Sequence, residues 1–184
     1  MNEHLGGHLN RTNIDEGAMQ WLIDTFSPKT FLDIGCGPGG MVDYAIECGL
    51  EAMGIDGDPE VKKDSIHKHD FVQGPVDIDS TYDIGWSVEF VEHVYEEYMD
   101  NYMSAFKLCK AIVVTYAPPG TPGHHHVNLQ EQPYWLDKFK SYGFTYSSSM
   151  TDQLRDASTM NLNKKSHEKR FVQKRGMVFV NDLI

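Results

Sequence analysis

FLDIGCGPGG, residues 31–40, joins a short apolar run to a loop that carries almost no side-chain bulk. Residues 31–34 predict a buried strand, which Pro28 precedes and a cluster of glycines follows. From residue 41 to residue 48 the apolar side chains recur with helical spacing. A strand, a glycine loop and a helix N-terminus together predict a site where a ligand lies against bare backbone amides.

The glycine spacing by itself has more than one interpretation. Gly35, Gly37 and Gly40 satisfy the G-x-G-x-x-G pattern of a dinucleotide site, and Asp56 falls at the expected later position. Asp33 argues against a dinucleotide, because a carboxylate two residues before the first glycine would repel a pyrophosphate. That carboxylate suits a cationic ligand instead, such as the amino group of a methionine.

From about Asp15 to its C-terminus the chain resembles the class I S-adenosylmethionine-dependent methyltransferases. The most specific part of the resemblance is the first motif, D-x-G-x-G-x-G, which Asp33, Gly35, Gly37 and Gly39 match. The resemblance implies an α/β, Rossmann-like doubly wound fold, with a mostly parallel seven-stranded sheet and helices on both faces. It also implies an enzyme that uses S-adenosyl-L-methionine and releases S-adenosyl-L-homocysteine.

Length and composition predict one domain over residues 1–184, in which residues 1–14 form a loose N-terminal arm. Three cysteines without metal-type spacing imply neither a disulfide framework nor a zinc site. We expect a cytoplasmic protein without a membrane partner, because no long apolar run or signal-type start is present. A net charge of -11 disfavours nucleic acid as a partner. The basic segment 163–175 is interpreted as a solvated loop, with a phosphate-binding patch as the alternative.

Strand-like and helix-like patterns alternate along the chain, which predicts a parallel sheet covered on both faces. Strands are predicted at 51–55, 82–87, 111–116, 144–150 and 177–180, with a brief strand or loop ending at Asp70 and Phe71. Helices are predicted at 15–26 with Asp15 as its cap, at 59–66, in a long segment that leads from 88–94 to about 109, and at 132–142.

The resemblance also implies which residues would hold the cofactor at the C-terminal ends of successive strands. Asp33 would balance the methionine ammonium, Asp56 would accept both ribose hydroxyls, and Asp70 would accept from the adenine amino group. Ser87 would lie near the methyl that is transferred. The full implied set is Asp33, Gly35, Cys36, Gly37, Gly39, Asp56, Gly57, Asp70, Phe71 and Ser87.

Two segments offer histidines for the acceptor side of the reaction. Methyl transfer from a sulfonium mainly requires alignment, and a hydroxyl acceptor also needs a nearby base. SVEFVEHV, residues 87–94, resembles the fourth-strand segment of small-molecule methyltransferases, in which the histidine, here His93, mostly supports the helix start. GHHHVN, residues 123–128, follows the fifth strand, where the family places acceptor-binding residues.

Three interpretations of the histidine run stay open: acceptor binding or general base, metal ligation, and ordinary loop polarity. In an extended loop His124 and His126 would face one side and His125 the other. A metal would need a third ligand, for which Glu89 or His93 is available. We take His126, His125, His124 and Glu89 as the catalytic candidates and assign no metal site.

The His-Val-Asn element at residues 126–128, followed by a helix that contains Tyr134 and Trp135, resembles methyltransferases associated with sugar or other small-molecule acceptors. The resemblance therefore implies a methyltransferase that acts on a small molecule, with a sugar or other hydroxyl as the candidate acceptor. Two alternatives remain: a nicotinamide-dependent oxidoreductase, and a noncatalytic module that keeps the cofactor pocket and binds a partner.

Overall fold

The computed structural model describes residues 4–5, 7–160 and 170–184 of the chain. Its seven strands are β1 (Thr30–Ile34), β2 (Glu51–Asp56), β3 (Ile66–Lys68), β4 (Tyr82–Ser87), β5 (Cys109–Val114), β6 (Phe144–Tyr146) and β7 (Met177–Asn181). They form one sheet in the order β3-β2-β1-β4-β5-β7-β6. The first five strands pair in parallel, and β7 runs antiparallel to both β5 and β6. The predicted doubly wound, mostly parallel fold is confirmed.

Helices cover both faces of this sheet. The α-helices of the described ranges are α1 (Glu16–Phe26), α2 (Gly40–Glu47), α3 (Met99–Phe106), α4 (Gln132–Ser141), α5 (Ser148–Ala157) and α6 (Phe171–Arg175). Helices α3 and α4 pack with Leu32 on one face, and α1, α2, α5 and α6 pack with Phe31 on the other. Phe31 and Leu32 belong to opposite layers because successive side chains of a strand point to opposite faces. None of the helices described here combines the length and apolarity that crossing a bilayer requires.

The helix predicted at 59–66 is absent, and that segment contains only turns before β3 begins at Ile66. The carboxylate of Asp58 accepts a hydrogen bond of 2.9 Å from the Glu60 amide. Such a local bond offers the backbone an alternative to helical hydrogen bonding. Ile66 then pairs with Gly54 of β2, which commits the end of the segment to the sheet.

Two other predicted elements are shorter than the sequence patterns suggested. The long helix after β4 is replaced by two 3-10 turns, Val91–His93 and Glu96–Tyr98, followed by α3. The strand predicted at 144–150 ends at Tyr146, because Ser147 caps α5 by accepting from the amide of Met150 at 3.4 Å. Of the predicted basic segment, residues 163–169 lie outside the described residues.

Asp15 links α1 to the chain that follows α5. It is fully buried, and its carboxylate accepts from the amides of Ala18 at 3.1 Å and Thr159 at 2.8 Å, and from the Ser158 hydroxyl. One side chain therefore satisfies donors that lie far apart in the sequence.

Replacing Asp15 with alanine should lower the free energy of unfolding by about 2–4 kcal/mol, because a cap is lost and buried donors are left without an acceptor. Urea denaturation measures this loss. Asp24→Ala, on the exposed side of the same helix, is the matched control and should change stability by less than about 0.5 kcal/mol. Equal losses for the two variants would contradict the linking role of Asp15.

Candidate active site

A cavity of about 1220 Å³ lies at the edge of the sheet where β1, β2 and β4 end. In the sheet order, the chain leaves β1 toward β2 on one side and returns to β4 on the other. Open α/β sheets bind ligands at this kind of switch point, outside the carboxyl ends of the strands. The cavity walls also include the N-terminal arm, the loop at residues 119–126 and part of α6.

The glycine loop after β1 is fixed to the end of β2 by backbone hydrogen bonds. The amides of Gly35 and Cys36 both donate to the carbonyl of Ile55, at 2.8 and 3.1 Å. The amide of Gly37 donates to the carboxylate of Asp56 at 2.7 Å. Gly35 has a φ of 76°, and a Cβ at this position would lie 2.3 Å from the Phe90 ring. A side chain is therefore excluded at residue 35, and bare backbone lines the cavity.

Two carboxylates stand at the floor of the cavity. Asp33 is 4% exposed, and Asp56 follows at the end of the neighbouring strand. Burial, and then the charge of Asp56, raise the pKa of Asp33 well above its usual value. A cationic ligand in the cavity would compensate this unfavourable pair.

The far side of the cavity is formed by Gly57, Asp70 and Phe71. The carboxylate of Asp70 accepts from the amide of Val72 at 3.1 Å, and its other oxygen lies 2.9 Å from Nε2 of His4. A Cβ at residue 57 would lie 3.2 Å from the Cα of Asp70, so the two segments meet closely. These three residues line the cavity, as do Asp33, Gly35, Cys36, Gly37 and Asp56.

The remaining two implied cofactor residues have other local roles. Ser87 is fully buried, and its hydroxyl donates to the carbonyl of Ile34 at 2.9 Å. The neighbouring residues Trp86 and Val88 line the cavity instead. Gly39 precedes α2 with a φ of 78° and shapes the turn into that helix, outside the cavity lining.

The described part of the N-terminal arm, expected to be loose, lies against the cavity. His4 contacts Asp70, and Nε2 of His8 lies 3.0 Å from the carboxylate of Asp58. A Cβ at Gly7 would lie 2.8 Å from the ring of His124. The arm thus contacts both the residues implied in cofactor binding and the histidine loop at residues 123–128.

The four catalytic candidates, His124, His125, His126 and Glu89, all line the cavity. The loop is not extended, because the chain turns at His125, which has a φ of 47°. The alternation expected for an extended loop therefore does not occur. Nδ1 of His126 lies 2.9 Å from the carbonyl of Thr121, which fixes the orientation of the ring.

The structure brings two further residues, His93 and Glu92, to this group. The His93 and His126 rings are 4.8 Å apart between centroids, and Nδ1 of His93 lies 2.8 Å from the carbonyl of His124. Glu92, His93 and His126 each place one possible ligand atom within 4.8 Å of the others. From the sequence, His93 is expected to support the helix start or to be available as a metal ligand, and Glu92 has no expected role. The available signal was that their segment and the histidine run follow β4 and β5, which are neighbours in the sheet.

Burial favours the uncharged forms of Glu89, Glu92 and His93. It raises the pKa of Glu89 to about 7, against the opposing effect of Arg175. Burial, and then the charge of Glu89, raise the pKa of Glu92 well above its usual value. Burial, and then His126, lower the pKa of His93 to about 4, so that its imidazole is neutral near pH 7.

Comparison with known proteins agrees with this architecture. Residues 32–113 match the family model described as methyltransferase domain. No curated protein sequence matches the chain significantly.

Several solved methyltransferase structures share the fold. A TehB-like SAM-dependent methyltransferase from Corynebacterium glutamicum has a TM-score of 0.62 at 17% identity, over 90% of this chain and 87% of that one. The 1,6-didemethyltoxoflavin-N1-methyltransferase of Burkholderia thailandensis has a TM-score of 0.60 at 12% identity, over 90% and 76%. Magnesium protoporphyrin IX methyltransferase from Synechocystis PCC 6803, solved with bound SAM, has a TM-score of 0.59 at 13% identity, over 89% and 76%.

These identities show a shared fold, and the family model covers the strands from β1 to most of β5 that surround the glycine loop. Together with the strand order and the position of the cavity, they show that the chain has the fold of the class I S-adenosylmethionine-dependent methyltransferases.

Proposed function

We propose that the protein binds S-adenosylmethionine in this cavity and transfers its methyl group to a small-molecule acceptor, preferably a sugar or other hydroxyl compound, in the cytoplasm. The observation that carries the proposal is the pair Asp33 and Asp56 at the floor of a glycine-lined cavity. The three cysteines are free thiols, which suits a reducing compartment.

The charge at the floor favours a sulfonium nucleoside over a dinucleotide. S-Adenosylmethionine carries an ammonium and a sulfonium, and both would relieve the unfavourable burial of the Asp33 carboxylate. The pyrophosphate of a nicotinamide dinucleotide would add negative charge beside Asp33 and Asp56. This argument disfavours the oxidoreductase alternative.

Asp56 is available for the ribose. Its two oxygens accept from the amides of Gly37 at 2.7 Å and Asp58 at 2.9 Å. Each carboxylate oxygen has a second acceptor site, so both can also accept a ribose hydroxyl. Gly57 and Asp70 border the space beyond the ribose, where an adenine would lie.

The acceptor would occupy the other half of the cavity, between the segment after β4 and the histidine loop. Phe90 and Tyr95 contribute aromatic surface there, and Glu89 and His126 contribute polar groups. A volume of about 1220 Å³ exceeds the range of roughly 300–1,000 Å³ that is usual for small-ligand sites, which leaves room for two small ligands. Two of the structural neighbours are named for magnesium protoporphyrin IX and 1,6-didemethyltoxoflavin, which are small molecules.

Asp56→Asn should weaken binding of S-adenosylhomocysteine about 10- to 100-fold, because a charged acceptor for two hydroxyls is lost. Isothermal titration calorimetry measures the affinity. Glu51→Gln changes a carboxylate at the opposite end of the same strand and should leave the affinity unchanged. Failure of the wild type to bind this nucleoside, or tight binding of a reduced nicotinamide dinucleotide in its place, would refute the proposal.

Asp33→Asn should raise the melting temperature of the ligand-free protein and abolish most of the stabilisation that S-adenosylhomocysteine provides. Because the folded-state pKa of Asp33 is raised, the stability it contributes is present below the pKa of about 3.9 of a free Asp and is lost as pH rises through the raised value. The increase in melting temperature for Asp33→Asn should therefore be larger at pH 8 than at pH 4. Each kcal/mol of added stability should raise the melting temperature by about 2–4 °C.

Asp83→Asn is the control, for which the melting temperature should change in the opposite direction. Lys110 and the Lys29 amide lower the pKa of Asp83 to about 2, so its charged form stabilises the folded protein at neutral pH. Scanning calorimetry should show a lower melting temperature for this variant. If Asp33→Asn instead lowers the melting temperature, the protein itself stabilises the charged Asp33 carboxylate, which would contradict this prediction.

His126→Ala should reduce turnover at least about 100-fold and leave the affinity for S-adenosylhomocysteine within about twofold, because the ring faces the acceptor half of the cavity. Turnover is followed with a radiolabelled methyl donor and a fractionated extract of small metabolites. His67→Ala, an exposed histidine outside the cavity lining, serves as the control. Parallel losses of turnover and affinity in His126→Ala would exclude a role confined to the acceptor.

A further inference from the structure

We propose that Glu92, His93 and His126 bind one divalent transition-metal ion of the first row, such as Zn²⁺ or Mn²⁺. Two imidazoles and one carboxylate form a donor set that these borderline ions accept, whereas Mg²⁺ prefers oxygen ligands. This site lies in the acceptor half of the cavity and uses none of the residues assigned to the cofactor.

The spacing of the three ligand atoms is close to what coordination needs. They all lie within 4.8 Å of one another. Ligand atoms around a tetrahedral zinc ion, bound at about 2.0–2.2 Å, are about 3.4 Å apart. An inward shift of about 1 Å by these side chains would complete the coordination, without rearrangement of the backbone.

Both histidines are held with the correct nitrogen available. Nδ1 of His93 lies 2.8 Å from the carbonyl of His124, and Nδ1 of His126 lies 2.9 Å from the carbonyl of Thr121. A carbonyl only accepts, so each Nδ1 carries the hydrogen and each Nε2 keeps its lone pair. Metal-binding histidines are oriented in this way, with the second ring nitrogen donating to a carbonyl or carboxylate.

Glu92 supplies the second, independent observation. It is fully buried, its carboxyl group pairs with that of Glu89, and neither of its oxygens accepts from an N–H or a hydroxyl group in the part of the chain that the structure describes. A buried carboxylate without a donor is unfavourable, and a bound cation satisfies it directly. Oε1 of the neighbouring Glu89 is also buried and accepts from no N–H or hydroxyl group among those residues.

The backbone fixes the two ligand-bearing segments together. The amides of Val127 and Asn128 both donate to the carbonyl of Glu92, at 3.0 and 3.1 Å. Gly123 leaves space for the imidazole of His126, since a Cβ at residue 123 would lie 2.2 Å from that ring. The donors are thus arranged by loop contacts that exist without the ion, which lowers the entropy lost on binding.

The site opens toward the cavity on one side. His93, His126 and Glu89 line the cavity, while Glu92 lies beneath them. Coordination positions on the cavity side would remain for water or for an acceptor oxygen. A hydroxyl bound to the ion would lose its proton more easily. That last consequence rests on the proposed methyl transfer, whereas metal binding itself does not.

Cobalt(II) provides a direct test, because its visible absorption reports coordination by protein ligands. Titration of CoCl₂ into chelator-treated, untagged wild-type protein should give a ligand-field spectrum that saturates at one equivalent. ZnCl₂ should displace the cobalt, and MgCl₂ at a large excess should not. His126→Ala should weaken binding at least about 100-fold, since a direct ligand is lost, and His67→Ala should bind as the wild type does.

Glu92→Gln keeps the size of the buried side chain and should also lose the cobalt spectrum. Circular dichroism establishes that each variant is folded, and a rise in the melting temperature with ZnCl₂ in the wild type, absent in His126→Ala, is the second measurement. Equal cobalt spectra for wild type and His126→Ala, or the absence of one in the wild type, would overturn the proposal. Calorimetry with S-adenosylhomocysteine on the same chelated sample tests the proposed function separately, because the two sites share no ligand.

Discussion

The amides of the glycine loop are bound by the end of the neighbouring strand. Gly35 and Cys36 share the carbonyl of Ile55, and Gly37 donates to Asp56. These bonds fix the turn between β1 and α2, where no side chain covers the end of the strand. They also hold the Asp56 carboxylate beside that of Asp33. The bare floor of the cavity and its negative charge are two results of the same set of hydrogen bonds.

Buried carboxyl groups whose charge the protein compensates only in part, or not at all, occur in both halves of the cavity. Asp33 is balanced by no described cation at the cofactor end, and Glu92 accepts from no described N–H or hydroxyl group at the acceptor end. Such groups lower the stability of the ligand-free protein and favour ligands of complementary charge. The two halves differ in what they suit: the first an organic cation against bare backbone, the second a metal ion between two imidazoles.

The sequence predicted best the elements whose patterns are long or contain glycine. Strand β1, its loop, β4 and helix α4 were located within one or two residues because periodicity and turn residues agreed. Local side-chain hydrogen bonds of Asp58 and Ser147 explain two of the three segments that were predicted wrongly, at residues 59–66 and 144–150. The contact of His93 with His126 depends on the pairing of β4 with β5, which no local pattern contains. Likewise, the direction of the Ser87 hydroxyl follows from its position in the pleat.

The antiparallel course of β7 carries the C-terminus away from the described part of the N-terminal arm. Met177 of β7 pairs with Val114 near the cavity edge, and Asn181 reaches the opposite edge, where its amide binds the carbonyl of Cys109. The arm, in contrast, places His4 and His8 on the cavity wall. An oligohistidine purification tag fused ahead of the arm would add competing imidazoles beside both binding regions. A tag that follows Ile184 would begin on the far side of the sheet.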